Sequence, residues 1–361
     1  MKNKKRNILI TAIGYGGSNS LVNDIYNSNL NIDHYNFYGS NVNYETIARS
    51  CLKKNFLLPH ATDSKYKKSL IRLIEEESID LIIPNSDAEV GKISEIRDEL
   101  KCKLFLPSKD PIKTSQNKYD LYLKLHKNNI PVPISRDITS FEDIEKALSD
   151  IGGNKFWIRP KTGSGSKGAT WVNNIDQAIS WIKLWVELRD YKIDQFTISE
   201  YLPGRDYCFQ STWKNGELLL AKMCERLSYY AGEQRLSGMS STPSTALTVR
   251  DEQALDTVFR AIKAITKKAN GNISFDLKGN ENGEMCITEC NIGRFCMITS
   301  IFNRTGRYNM AEMYIRAAFD EEIDIQDPID ISEGHYLLRE LDILPTIIHK
   351  DKIRSFAKSY L

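Results

Sequence analysis

The stretch from Ile273 to Phe295 constrains this chain more than any other, because it fixes two strands and the face they share. Two runs of strand-forming residues flank a turn-rich centre containing Asn282-Gly283, a strong short-range hairpin signal. A two-residue turn there sets Glu281 opposite Glu284 and, counting outward, Asp276 opposite Glu289. Side chains alternate along a strand, so Asn291 shares the face of Glu289. Like charges facing each other across a strand pair destabilise the sheet, so this pair calls for a counter-charge. Two carboxylates and an amide oxygen are hard ligands suited to Mg²⁺, which usually also keeps waters and substrate phosphates. A solvated hairpin face with Lys278 as counter-ion explains the same residues equally well.

The 361 residues suffice for two or three compact units. A composition of 41% hydrophobic and 27% charged residues is that of an ordinary globular protein. The net charge of +2 argues against a dedicated polyanion binder. The basic start runs through a short apolar stretch, residues 8–13, straight into Gly14-Tyr15-Gly16-Gly17, which fits an opening strand better than a signal peptide. No stretch approaches the ~20 apolar residues that span a bilayer, so the expectation is a cytoplasmic protein without membrane or nucleic-acid partners. The seven cysteines form no Cys-x-x-Cys pair and are expected to be free thiols that pack as small hydrophobes. The five histidines are scattered and none is assigned to a site.

Residues 7–12 read as a buried strand leading into Gly14-x-Gly16-Gly17 and a helix from Leu21. A dinucleotide fingerprint needs a third glycine where Asn19 stands, and no second strand ends in the acid that would hold a ribose. Residues 65–77 show helical spacing, 80–84 read as a strand that delivers Asp87 and Glu89 at its carboxyl end, and 103–106 read as a further strand. Asp87 serves equally as a cap of the next helix. A helix over 118–127 stops at Ile130-Pro131-Val132-Pro133. Then a strand ending in Arg159-Pro160 runs into Gly163-Ser164-Gly165-Ser166-Lys167-Gly168. Glycines let backbone amides approach phosphate closely; the spacing is not that of Walker A, and a plain flexible linker is the alternative. A strand over 195–199 precedes Glu200-Tyr201-Leu202-Pro203-Gly204-Arg205-Asp206, which is otherwise an ordinary strand end before a Pro-Gly turn. Lys214-Asn215-Gly216-Glu217 reads as a turn, 232–245 as a polar loop, 250–268 and 311–319 as helices, and 336–341 as a strand.

Asp276 followed by Glu289-x-Asn291 resembles the metal-binding end of the ATP-grasp superfamily, nearest to its carbamoyl-phosphate-synthase-like, carboxylate–amine ligase branch. That pattern usually continues Glu-x-Asn-Pro-Arg; here the proline is absent and Arg294 comes one place later. The resemblance runs over nearly the whole chain and implies an α/β architecture. A Rossmann-like pre-ATP-grasp domain (1–112) would precede a two-lobed α+β ATP-grasp fold, with a small lobe carrying the phosphate loop (113–195) and a large lobe carrying the metal site (196–361).

It also implies roles. Lys118, Arg159 and the loop residues Gly163, Ser164, Gly165, Ser166 and Gly168 would meet the phosphates. Glu200, Tyr201 and Leu202 would lie beside adenine, and Asp206 on the ribose. Asp276, Glu289 and Asn291 would hold metal, two Mg²⁺ with Mn²⁺ as substitute, and Arg159 and Arg294 would be catalytic. Asp87 and Glu89 would face the second substrate, with Lys222 and Arg226 near phosphates or an acidic substrate. The chemistry implied is transfer of the ATP γ-phosphoryl group to a small carboxylate or bicarbonate, giving an acyl phosphate that an amine or other nucleophile displaces. A homodimer stays open. Alternatives are a kinase-like enzyme releasing the acyl phosphate, a non-catalytic nucleotide sensor, and a dinucleotide-dependent oxidoreductase.

Overall fold

A computed structural model describes residues 4–296, 298–340 and 346–352. Its first sheet is parallel, with strands β1 (Arg6–Ile10), β2 (Tyr35–Asn41), β3 (Lys54–Leu57), β4 (Leu81–Ile83) and β5 (Lys103–Leu104) in the order β3-β2-β1-β4-β5. Helices Gly16–Tyr26, Tyr66–Glu76 and Asp87–Glu95 alternate with these strands. Ile8, Leu9, Ile10, Leu81, Ile82 and Ile83 are all buried, as expected of parallel strands covered on both faces, which read as unbroken apolar runs. The strand order reverses between β1 and β4, the place where doubly wound sheets open a crevice. The expected strand over 103–106 is shorter, because Phe105 and Leu106 leave the ladder to pack as buried side chains.

Gly14 has a packing reason to be glycine: a Cβ there would lie 1.8 Å from the Thr46 carbonyl oxygen. The first glycine cluster thus seats the β1 loop on the helix Tyr44–Ile47.

The second sheet is four-stranded and antiparallel, ordered β6-β9-β7-β8 from β6 (Ser135–Asp137), β7 (Phe156–Pro160), β8 (Thr170–Val172) and β9 (Phe196–Glu200). Its own small core gathers Ile144, Phe156, Ile158, Ile182, Phe196 and Ile198 beneath helices Asp143–Ile151 and Ile175–Arg189.

The third sheet is antiparallel and seven-stranded, ordered β14-β13-β10-β11-β12-β15-β16. Its members are β10 (Asp206–Lys214), β11 (Glu217–Tyr229), β12 (Pro243–Thr248), β13 (Gly271–Gly279), β14 (Met285–Ile292), β15 (His335–Leu338) and β16 (Thr346–His349). Asn215 and Gly216 both have positive φ and form the expected tight turn between β10 and β11. The polar loop expected to reach Thr245 ends earlier, since β12 begins at Pro243 and its residues pair with both β11 and β15. The helix expected over 250–268 is trimmed to Glu252–Ile265, with the Asp251 side chain capping the Ala254 N–H. Leu341, expected to end a strand, lies outside the described residues. Among the described residues no helix is long and apolar enough to cross a membrane.

Candidate active site

The hairpin pairs Asp276 with Glu289 and Ser274 with Asn291, as counted from the sequence, although the turn is different. Asn280, rather than Glu281, faces Glu284: the Asn280 N–H donates to the Glu284 carbonyl (2.9 Å) and the Gly283 N–H to the Asn280 carbonyl (3.0 Å). The loop is one residue longer than a two-residue turn. On the turn side Leu277 still pairs with Ile287 in the shifted register, and a bulge at Thr288 then restores the count at Asp276 and Glu289. Such insertions re-aim side chains. Here the Thr288 carbonyl is turned to accept from Arg159 Nη2 at 2.7 Å, while its hydroxyl donates to the Asp276 carbonyl at 3.0 Å. The bulge thereby joins the second and third sheets.

Arg159 lies on β7 and shares a face with Trp157, two residues earlier. Its Nε is buried without a hydrogen-bond partner. Burial lowers the proton affinity of this guanidinium, against the pull of Glu289 and Asp276. A cation so placed is short of an anion. The loop that follows has positive φ at Gly163, Gly165 and Ser166, and a Cβ added at Gly163 or Gly165 would meet nothing within 4 Å. These glycines serve backbone shape and open space rather than close packing. Gly168 differs, because it packs on Pro160 and its carbonyl accepts from Trp181 Nε1 at 2.9 Å. It anchors the loop and does not wall the cleft. Lys118 opens the helix Lys118–Lys127, whose first amides are capped by Asn117; its Nζ donates to the Gly163 carbonyl at 2.8 Å and lies 3.6 Å from Glu289.

Asp276, Glu289 and Asn291 therefore each already have a cation beside them. Arg226 on β11 reaches Asp206 through Nε (2.8 Å) and Asp276 through Nη1 (3.0 Å). Arg294 donates to the Asn291 side-chain oxygen and to Asp87. The repulsion expected between Asp276 and Glu289 is thus partly offset, and not by Lys278, which stands 3.7 Å from Asp206 instead. It is not abolished. Burial, with Glu289 and Asp206, outweighs Arg226 and holds the Asp276 carboxyl above its usual range. Arg226 is correspondingly held far above its ordinary value by Asp206 and Asp276, which outweigh its burial. Burial also opposes ionisation of Asp87, but Arg294 outweighs it and lowers the pKa.

A cleft of about 410 Å³ collects Lys118, Arg159, Gly163, Ser164, Gly165, Ser166, Glu200, Tyr201, Leu202, Asp206, Arg226, Asp276, Glu289, Asn291 and Arg294. Glu200 is fixed at its edge by the Ile134 N–H, which its side chain accepts at 3.2 Å. Sequence reasoning missed Trp157, Tyr229 and the wall made by Met239, Ser240, Ser241 and Pro243; strand alternation with Arg159 marks Trp157, while nothing local marks the others. Gly168 stands outside the cleft, Asp87 meets it only through Arg294, and two further expected residues lie elsewhere. Lys222 is buried against Asp330 (2.7 Å) and the Phe302 carbonyl (2.6 Å). Glu89 accepts from Thr11 (2.7 Å), Ser86 and Tyr66 in the crevice of the first sheet.

A family model described as an ATP-grasp domain matches residues 115–295, half of the chain and all of its cleft residues from Lys118 to Arg294. The chain belongs to the ATP-grasp family. Solved structures extend the likeness of this ATP-grasp protein beyond the matched span. Carboxyaminoimidazole ribonucleotide synthase from Aspergillus clavatus, complexed with ATP, is 16% identical with a TM-score of 0.68, over 92% of this chain and 81% of that one. The L-amino acid ligase of Bacillus licheniformis is 11% identical with a TM-score of 0.69, over 92% and 79%. The biotin carboxylase domain of Hydrogenobacter thermophilus 2-oxoglutarate carboxylase, holding MgADP, ADP and bicarbonate, is 12% identical with a TM-score of 0.71, over 92% and 73%. At such identities the likeness is one of fold. No curated protein matches the sequence.

Proposed function

We propose that this protein is an ATP-dependent ligase that activates a carboxylate, or bicarbonate, as an acyl phosphate for attack by an amine or another nucleophile. The observation that carries this reading is the half-buried Arg159, its Nε unpartnered, at the foot of a glycine-serine loop and in one cleft with Asp276 and Glu289. A guanidinium with an unpartnered buried nitrogen, beside two facing acids whose repulsion is only partly offset, is a place for a polyphosphate and a metal together. The similar folds that hold ATP, MgADP or bicarbonate support it.

In this scheme Arg159, Lys118 and the amides of Gly163 to Ser166 receive the phosphates, since guanidinium and backbone N–H groups make short charge-assisted bonds to phosphate. Glu200, Tyr201 and Leu202 border the adenine. Asp206 takes the ribose while still holding Arg226. Asp276, Glu289 and Asn291 suit a hard cation, because all three offer oxygen from one face of a single strand pair. When bound there, Mg²⁺ (two ions, or Mn²⁺ in their place) would neutralise charge developing on the transferring phosphoryl oxygens. Arg294, tied to Asp87 of the first sheet, sets the edge at which a second substrate meets the transferred group. Small carboxylates and amines are the partners this cleft admits, and a cytoplasmic protein of three units divided at 112 and 195 accords with it.

Phosphate release from Mg·ATP, screened across carboxylates with and without amines, tests the proposal. Release that needs both substrates supports a ligase. Release with a carboxylate alone, with a hydroxamate trapped by hydroxylamine, identifies a kinase-like enzyme. No release with any pair and unchanged nucleotide identifies a sensor.

A further inference from the structure

Cys208 and Cys296 are 88 positions apart in sequence, yet their sulfurs lie 3.1 Å from each other in the wall of the nucleotide cleft. Cys208 sits on β10 directly opposite Asp276 of β13. Cys296 follows β14 two residues after Arg294. The Cys296 segment is already tied to β10 by the Gln210 side-chain oxygen, which accepts from the Cys296 N–H (3.0 Å) and the Thr299 hydroxyl (3.2 Å). Cys208 is almost wholly buried, whereas Cys296 is half-buried and opens on the cleft, within reach of a small solute.

We propose that Cys208 and Cys296 are an oxidisable pair, cross-linked by a hydroperoxide to a disulfide that weakens nucleotide binding in the adjoining cleft. The Cys296 sulfur attacks one peroxide oxygen: an S–O bond forms, the O–O bond breaks, and the departing hydroxide leaves as water with the thiol proton. The Cys208 sulfur then attacks the sulfenic sulfur of Cys296. The S–S bond forms, the S–O bond breaks, and a second water leaves with the Cys208 proton. Two thiols are oxidised by two electrons and one hydrogen peroxide is reduced to two waters. Closing the sulfurs to the ~2.0 Å of a disulfide draws the Cys296 segment about 1 Å toward β10. Arg294 moves with that segment, and Asp276 lies beside the other end of the bond. Shifts of this size matter in a site that binds by position.

The effect on nucleotide rests on the proposed function, whereas the cross-link does not, so the two are read separately. The whole protein is treated with hydrogen peroxide, then examined by intact mass and peptide mapping and by the thermal shift that Mg·ATP produces. The expected result is loss of two hydrogen atoms, a linked Cys208–Cys296 peptide, and at least tenfold weaker Mg·ATP binding that dithiothreitol restores. Cys208→Ser and Cys296→Ser should each abolish the link, while Cys224→Ser, at the position facing Cys208 on β11, should leave it. Should one serine variant fail to fold, the other and the wild-type peptide map still decide. Absence of the linked peptide, linkage of Cys208 to Cys224, or a formed link with unchanged Mg·ATP affinity overturns the proposal. Absence of any Mg·ATP shift in the reduced protein refutes the nucleotide site and its redox control, with the peptide map still judging the bond.

Discussion

Replacing Asp276 with asparagine should stabilise the nucleotide-free protein slightly and abolish most of its response to Mg·ATP. The first half follows from the cation count. Arg226 is shared between Asp206 and Asp276, and Glu289 faces Asp276 across the strand pair. Burial and the two other carboxylates raise the Asp276 pKa above the usual carboxylate range despite Arg226. An ionised Asp276 is therefore a net cost to the folded state. Asparagine keeps its shape and still offers an oxygen to Arg226 Nη1. Removing one like-charge cross-strand contact is worth about 0.2–1 kcal/mol. In a chain of this length that amounts to a rise of roughly 2 °C or less in Tm.

The pH dependence fixes the sign. A carboxyl with a raised folded pKa binds its proton more tightly in the folded state, so its contribution to stability falls as pH climbs from the unfolded value through the folded one. The variant's advantage should be present above that window and vanish below it, where Asp276 is protonated in both states. In the presence of Mg·ATP the order should invert. A ligand at a hundred times its Kd stabilises by about 2.7 kcal/mol, and each tenfold loss of affinity removes about 1.4 kcal/mol of that. Thermal unfolding from pH 4 to 8, with and without Mg·ATP, measures both halves. A variant that is less stable than wild type without nucleotide at neutral pH, or one that retains the full Mg·ATP shift, would refute the reasoning.

Arg159→Ala should weaken Mg·ATP binding by about 1.5–3 kcal/mol, the worth of hydrogen bonds to a charged group, with little effect on Tm; calorimetric titration checks it. Arg226→Leu should destabilise the nucleotide-free protein by about 3–5 kcal/mol, because it leaves two acids without their shared cation, and denaturant unfolding measures this. Asp87→Asn should cost stability at neutral pH but not in acid: Arg294 holds the folded pKa low, so the contribution is present above the unfolded value and lost as pH falls through the folded one. Proteolytic nicking within residues 163–168 should slow when a non-hydrolysable ATP analogue is added, and equal cleavage rates would count against phosphate binding by that loop.

Local patterns made β1, β4 and β5 of the first sheet, the helix beginning at Lys118 and the glycine-serine loop legible, since each is written in a contiguous run of residues, whereas β2 and β3, with few buried apolar residues, escaped the reading. The pairing of Asp276 with Glu289 came out as counted for a less secure reason. The turn is one residue longer than assumed, and the Thr288 bulge restores the count; a bulge inserts a residue without any necessary mark in sequence. Arg226 could be suspected but not placed, because its two partners stand 20 and 50 positions away. Lys222, on the same strand, belongs elsewhere. Four residues along a strand keep the same face but cover about 13 Å, enough to leave the cleft for the Asp330 pocket. The tie between Asp87 and Arg294 spans 207 positions and needed the fold to be seen.

If the cleft is the proposed nucleotide and metal site, its charges favour joint entry of nucleotide and cation. A nucleotide arriving without a cation would satisfy Arg159 and Lys118 but set its phosphates among Asp276, Glu289 and Asp206, where Arg226 is already committed. A cation arriving without nucleotide would meet Asp276 and Asn291 with their oxygens engaged by Arg226 and Arg294, and it would leave the buried Arg159 Nε as unpaired as before. Together they complete an exchange. In the proposed site Asp276, Glu289 and Asn291 would turn to the cation, Arg226 and Arg294 would be released from part of their duty, and Arg159 would gain a phosphate for its unpartnered Nε. Each ligand would remove what makes the other's binding unfavourable, so the two proposed sites would be coupled through the same handful of ion pairs, and coupling between binding sites is reciprocal. On the proposed function, the arginines that neutralise the hairpin would then be the groups left free to meet a transferred phosphoryl group and its acceptor.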